Sequence, residues 1–152
     1  MSGDVQVRQL TRADVGLLRQ LNAVFAEAFE DAPSYQGAPP DDAYCERVLS
    51  KDHVIVLVAS QQGAVVGGLV AYELDKLERA RSEVYLYDLA VAEPHRRQGI
   101  ATRLIDRLRA MAKQRRAWVV YVQADYGDEP AVSLYQKLGV REEVMHFDLP
   151  VE

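Results

Sequence analysis

The stretch from Glu83 to Ala124 constrains the fold more than any other part of the chain. Glu83-Val84-Tyr85-Leu86-Tyr87-Asp88-Leu89-Ala90-Val91 reads as a strand, and Pro94 ends it. Ile100, Leu104, Ile105, Leu108, Met111 and Ala112 then recur on one face of a helix over residues 98–114, and AWVVYVQA, residues 117–124, reads as a strand again. Strand, helix, strand at this spacing is a βαβ unit. The helix carries the chain back, so the two strands run parallel, and a right-handed crossover lays the helix over the sheet that joins them.

The remaining segments supply antiparallel partners and further helices. Thr11-Arg12-Ala13-Asp14 has the form of a capping box, and Val15, Leu18, Leu21, Phe25 and Phe29 follow at helical spacing, predicting a first helix that ends near Asp31. Residues 32–40, APSYQGAPP, read as a Pro/Gly-rich loop, after which Asp41 or Asp42 caps a short helix to about Ser50. Val54 to Ala59 is a buried strand, and Gln61-Gln62-Gly63 turns it into another over residues 64–72. Pro130 opens a last helix carrying Leu134, Tyr135 and Leu138, Gly139 stops it, and a final strand is expected over residues 140–149. The sum, with a strand before the first helix, is a mixed α/β sheet with helices on its faces. With 152 residues and no repeat or linker, a single domain spanning residues 1–152 is expected.

Charge is unevenly placed. Residues 1–93 carry 8 basic and 15 acidic side chains, residues 94–116 carry 8 and 1, and residues 117–152 carry 2 and 7. One short basic segment in an acidic chain disfavours a nucleic-acid partner, whose phosphates most of the surface would repel, and suits a small anionic ligand held at one place. That segment contains Arg96-Arg97-Gln98-Gly99-Ile100-Ala101-Thr102, a turn that enters the helix of the βαβ unit. Unpaired N–H groups and the positive end of the helix dipole make such a turn either an ordinary helix start or a cradle for a phosphate or pyrophosphate. It has neither the glycine spacing of a dinucleotide turn nor the lysine of a P-loop.

The turn resembles the Q/R-x-x-G-x-G/A motif of the GNAT superfamily of N-acetyltransferases, with Ala101 in the last place. Leu89-Ala90-Val91 before it and Leu134-Tyr135-x-x-Leu138-Gly139 after it match the neighbouring motifs in order. Tyr87 to Val91, His95 to Thr102, Tyr121 to Asp128 and Arg141 to Asp148 further resemble the gentamicin-type aminoglycoside 3-N-acetyltransferases. The resemblance implies a GNAT fold: a twisted, mostly antiparallel sheet with helices on both faces and a splayed strand pair that holds acetyl-coenzyme A. It implies acetyl transfer to the 3-amino group of gentamicin- or sisomicin-type aminoglycosides, antibiotic resistance, and a homodimer. The donor is assigned to Leu89, Ala90, Val91, Arg96, Arg97, Gln98, Gly99, Ile100, Ala101 and Thr102.

In the direct transfer that this resemblance implies, the attacking amine must lose a proton, the thioester oxygen must be stabilised as it gains charge, and the leaving thiolate must be protonated. Asp88 is the candidate base, with Glu83 in reserve, and backbone N–H groups near Leu89 and Val91 suit the oxygen. Tyr135 matches the tyrosine that serves the thiolate in many members. From the residues alone Asp88 reads rather as a tied-up strand-end carboxylate, and Tyr135 as an aromatic core residue. Acidic side chains would attract a polycationic acceptor. The candidates are Glu27, Glu30 and Asp31 at the end of the first helix, Asp125, Asp128 and Glu129 in the loop after residue 124, and Glu142, Glu143 and Asp148 near the C-terminus; Tyr35 and Tyr126 are placed to stack on sugar rings. Solvated surface charge, or a helix cap at Asp128 or Glu129, is the plainer reading of any of these.

The histidines His53, His95 and His146 share no metal-ligand spacing, so no metal is expected. The one cysteine, Cys45, excludes an intrachain disulfide and reads as a partly buried small residue, and Trp118 reads as core. No segment has the length of a membrane span, and a cytoplasmic protein is expected. Two alternatives remain open: acetylation of polyamines or protein and peptide amines on the same fold, and a non-catalytic acyl-coenzyme A sensor.

Overall fold

A computed structural model describes residues 3–152. The chain forms two compact units, one ending at Val122 and the other comprising Gln123–Glu152. The first contains β1 (Val5–Gln9), α1 (Val15–Ala28), α2 (Ala32–Gln36), α3 (Asp42–Leu49), β2 (Val54–Gln61), β3 (Ala64–Asp75), β4 (Ser82–Val91), α4 (Ile100–Gln114) and β5 (Ala117–Val122). Its sheet is open, with the strands side by side in chain order; β1 to β4 are antiparallel and β5 lies parallel to β4. The mixed α/β sheet and the βαβ unit expected from residues 83–124 are both present.

Helices cover both faces of this sheet, as the burial of β2 requires. Val54, Val56 and Val58 join Leu21 and Phe25 of α1 and Leu49 of α3 in one apolar cluster. Alternate residues of a strand face opposite ways, and the intervening Ile55, Leu57 and Ala59 are also fully buried. The opposite face is covered by α4, whose Ile100, Leu104, Ile105, Leu108, Met111 and Ala112 are buried. Each fully buried leucine or isoleucine of these layers contributes about 1.5–3 kcal/mol through removal from water.

Several local expectations are corrected. The capping box forms in half: Asp14 accepts from the Thr11 backbone N–H at 2.7 Å, but makes no side-chain cap of its own, and α1 begins one residue later. The helix ends at Ala28, not Asp31, because Glu30 adopts a positive φ of 51° that no helix continues. Within the expected loop 32–40 the chain makes the short α2, since Asp31 caps it by accepting from the Ser34 N–H at 3.2 Å and Pro33 suits its first turn. Cys45 is fully rather than partly buried. Trp118 is 54% exposed rather than core. A register shift between the pairs Ser82↔Ala117 and Val84↔Val120 leaves it beside Glu83, to which its indole N–H donates at 3.1 Å.

The second unit contains α5 (Glu129–Leu138). Asp128 caps it, accepting from the Ala131 N–H at 3.4 Å, Pro130 occupies its first turn, and extended Gly139 ends it. Among the described residues the final strand expected over residues 140–149 is not formed: the segment has no hydrogen-bonded neighbour strand there, and its apolar side chains Val140, Val144, Met145, Phe147 and Leu149 are exposed. Alternation without a partner strand does not make a strand.

The close seat of α1 on the sheet depends on Gly68 of β3. A Cβ there would lie 2.5 Å from the Leu57 carbonyl oxygen and 2.6 Å from Leu21 Cδ1. Gly68→Ala is therefore expected to destabilise the protein by about 1–3 kcal/mol, read as a lowered midpoint in urea unfolding.

Candidate active site

Strand β4 parts from β5 partway along its length. The two are paired from Ser82↔Ala117 to Leu86↔Val122, and from Tyr87 to Val91 β4 keeps only its β3 neighbours, Gly67 to Val70. This is the splayed pair, and it leaves one edge of β4 open. Ala92 donates its N–H to Val66 of β3 at 2.8 Å. Successive N–H groups alternate sides along a strand, so those of Leu89 and Val91 are aimed at the open edge.

At the head of the opening β4 carries a bulge. Leu86 pairs with Ala71 and Asp88 with Val70, so Tyr87 is an extra residue. Without it, Asp88 would face the α4 side with Leu86; with it, Asp88 turns to the α1 side together with Tyr85 and Tyr87. There the Tyr35 hydroxyl donates to Asp88 Oδ1 at 2.9 Å. Burial pushes the Asp88 pKa above the ordinary carboxylate value and outweighs the opposite pull of that hydrogen bond. Burial, and then the nearby Asp88 carboxylate, raise the Tyr35 phenol. The Tyr35 ring packs against the stacked pair of Phe25 in α1 and Phe29 just after it, with centroids at 5.6 and 5.5 Å, which occupies the ring that the sequence offered for sugar stacking.

Glu83, the reserve base, is already engaged. One oxygen accepts from the Trp118 indole, and the other lies 3.6 Å from Lys76 Nζ. Asp88 lacks any cationic partner of this kind among the described contacts.

The open edge leads into the basic turn. A 3₁₀ turn, Glu93–His95, follows β4, and Arg96 Nε donates to the Val91 carbonyl at 2.9 Å, holding the turn against the strand end. Arg97 and Gly99 both take positive φ, 64° and 76°. For Gly99 this conformation, not crowding, is the reason for glycine, because a Cβ there would meet no protein atom within 4 Å. α4 starts at Ile100, with Gly99 as its N-cap and no side chain capping it. Among the described residues no backbone carbonyl receives the N–H groups of Gly99 to Thr102. Arg96, Arg97, Gln98 and Gly99 are exposed, whereas Ile100 is buried in the core and Ala101 and Thr102 are half-buried.

The other singled-out residues are dispersed. Glu30 is exposed beyond α1, and Asp31 is used as the α2 cap. In the second unit Asp125, Tyr126 and Glu143 line one cavity of about 410 Å³ with Val144, Met145 and His146. Arg141 pairs with Glu143 at 2.7 Å and stands over the Tyr126 ring. Asp128 is the α5 cap, Glu129 lies in that helix's first turn, and Asp148 pairs with His146 at 2.9 Å. Burial and the Asp128 carboxylate push the Tyr135 phenol up to about 12.

One feature of the first unit escaped the sequence reading. Tyr72, Tyr85, Tyr87 and Tyr121 meet across three strands: Tyr85 stacks on Tyr121 at 4.6 Å, and Tyr87 lies 5.3 Å from Tyr85 and 6.0 Å from Tyr72. Their signal was the period of two in Tyr85-Leu86-Tyr87, which says that the rings share a face but not that the β3 and β5 neighbours are tyrosines too.

Comparison with known proteins agrees with this geometry. Residues 19–140 match the model of the acetyltransferase (GNAT) family. An uncharacterized N-acetyltransferase of Bacillus subtilis, YhfO, is 25% identical over 97% of this chain and 98% of its own. A crystal structure of an aminoglycoside acetyltransferase from an uncultured soil metagenomic sample is 52% identical, with a TM-score of 0.96, covering 98% of this chain and 99% of that one. Another aminoglycoside acetyltransferase of soil metagenomic origin, crystallised with sisomicin, is 28% identical with a TM-score of 0.91 over 97% of each chain. Acetyl-coenzyme A is the donor that the family uses. The chain belongs to the GNAT family and is an acetyltransferase.

Proposed function

We propose that the protein transfers the acetyl group of acetyl-coenzyme A directly to the 3-amino group of gentamicin- or sisomicin-type aminoglycosides and so confers resistance to them. The observation that carries this reading is Asp88: a half-buried carboxylate with no cation beside it among the described residues, set where β4 parts from β5. The aminoglycoside acetyltransferases among the similar structures support the acceptor class. The choice of the 3-amino group rests on the resemblance carried by residues 87–91, 95–102, 121–128 and 141–148.

On this reading the N–H groups of Arg97 to Thr102 and the Arg97 charge hold the pyrophosphate, and the pantetheine arm lies along the open edge of β4 as an added strand would. The Leu89 and Val91 N–H groups, aimed at that edge, stabilise the thioester oxygen. The amine nitrogen attacks the thioester carbon, a C–N bond forms and the C–S bond breaks. Asp88 takes the amine proton, directly or through a water. By the resemblance, Tyr135 is assigned to give its phenolic proton to the departing thiolate.

Thiol release from acetyl-coenzyme A should appear with sisomicin and gentamicin, and NMR of the product should place the acetyl group on N3. Release with spermidine or basic peptides but not with aminoglycosides would instead support the polyamine or peptide alternative. Asp88→Asn is expected to lower kcat/KM by about 10²–10⁴-fold. Because Asp88 acts ionised and its pKa lies above 3.8, wild-type activity should fall with decreasing pH before an ordinary carboxylate would protonate. The residual activity of Asp88→Asn should lack that limb.

The stability consequence has the opposite sense. A folded pKa raised above the unfolded value gives a contribution that is complete below the ordinary carboxylate range and lost as pH rises through the folded value. Asp88→Asn should therefore melt no lower than wild type at neutral pH, with any gain vanishing below about pH 4. That result separates lost chemistry from lost folding. Gly99→Val, forced toward a left-handed backbone, is expected to raise the KM for acetyl-coenzyme A about tenfold while the acceptor KM holds.

A further inference from the structure

The tyrosine cluster lies on the same face as Asp88, beyond the part of the sheet that α1 covers. Register fixes this: Tyr72 pairs with Tyr85 and Val70 with Asp88 across β3 and β4, Tyr85 pairs with Tyr121 across β4 and β5, and paired residues share a face. Val70 and Tyr72 also pack against the α1 cluster, which identifies the face. Tyr87, placed there by the bulge, is 60% exposed despite its size. Its ring meets Tyr72 edge-on and Tyr85 at a tilt. Tyr85 and Tyr121 stack face to face and support the exposed Tyr87 ring, which with the neighbouring Asp88 carboxylate offers a negative ring face and one negative charge to whatever lies against it. No cationic side chain of the protein stacks on the Tyr72 or Tyr87 ring among the described contacts, whereas Arg47, Arg81 and Arg141 do cover Tyr44, Trp118 and Tyr126.

We propose that Tyr72, Tyr85, Tyr87 and Tyr121 form the platform that receives the acceptor, with an ammonium-bearing ring of the acceptor lying against Tyr87 and the reacting amine directed toward Asp88. The proposal rests on the acetyltransferase reading above and adds the residues that select the acceptor. Amines of the acceptor that do not react keep their charge and are held by the Tyr87 ring face, while the amine at the edge of the platform meets the carboxylate. Burial raises the pKa of Tyr72 and Tyr121, so these phenols stay neutral and the negative charge beside the rings is that of Asp88. Tyr87 is the most readily tested because its ring lies at the surface and its removal leaves the apolar cluster beneath α1 untouched.

The test compares wild type, Tyr87→Ala and Tyr87→Phe in two measurements: calorimetric titration with sisomicin in the presence of coenzyme A, and steady-state thiol release. Tyr87→Ala is expected to weaken sisomicin binding and raise its KM by about three- to thirtyfold, with kcat and the acetyl-coenzyme A KM near wild type. Tyr87→Phe, which retains the ring, should stay within about threefold of wild type in both. Unchanged sisomicin affinity and KM in Tyr87→Ala would overturn the platform while leaving the acetyltransferase reading intact. Sisomicin binding that depends on Tyr87 without any acetyl transfer would support the platform and sink the reaction. Wild type that does not bind sisomicin at all would overturn both.

Discussion

The parting of β4 from β5 after Leu86↔Val122 is the constraint on which the rest of the site depends. A strand in mid-sheet normally pairs on both edges, and an unpaired buried edge is costly unless something else satisfies its N–H and C=O groups. Here the antiparallel side of β4 is fully used by β3, so the strand is held firmly while its other edge stays open from Tyr87 onward. The bulge at Tyr87 coincides with the start of the opening. One inserted residue thus turns Asp88 away from the α4 side and sets it where the edge becomes free. Neither feature alone would do this: a regular strand would hide the carboxylate, and a bulge within a fully paired strand would leave nowhere for a ligand to lie.

The sequence made the architecture legible because burial and period are local signals. Ile100, Leu104, Leu108 and Met111 mark α4 by spacing, and the strand patterns on either side of it require a parallel pair. What it left hidden depends on partners. Residues 140–149 alternate like a strand, yet pairing is a property of two segments, and among the described residues no neighbour strand is present for them. Trp118 looked apolar enough for a core, but the register shift beside it is set by how β4 and β5 meet. The tyrosines were visible singly; their meeting across β3, β4 and β5 was not, since cross-strand register is not written in any one strand. Asp88 was legible as a candidate through its position before Leu89-Ala90-Val91. Its hydroxyl partner, Tyr35, lies 53 residues away on a helix that the Pro/Gly content concealed.

The Tyr35–Asp88 contact gives the carboxylate its character. A hydrogen bond to the charged form lowers a carboxyl pKa, and burial raises it; here burial wins. A guanidinium in place of the tyrosine would have driven the balance the other way and removed the driving force for taking a proton. The phenol orients the carboxylate without neutralising it. Phe25 and Phe29 hold the Tyr35 ring, so the aromatic end of α1 fixes the geometry of a residue on β4. Core packing and site electrostatics are therefore coupled through one side chain.

The two signs of charge in the sequence acquire separate places in the first unit. The exposed arginines 96 and 97 stand at the α4 entrance, on the far side of the parting from the tyrosine rings, while Asp88 faces the α1 side. A donor carrying phosphates and an acceptor carrying ammonium groups would attract each other in water, and a common binding surface would let them compete for it. In the proposed reaction, separating the attractions along β4 gives each ligand its own end of the site, with the strand's open edge as the shared boundary. On the proposed function, the negative excess outside residues 94–116 would aid the approach of a cationic acceptor at low ionic strength, while a donor held at close range by N–H groups would be less affected by screening.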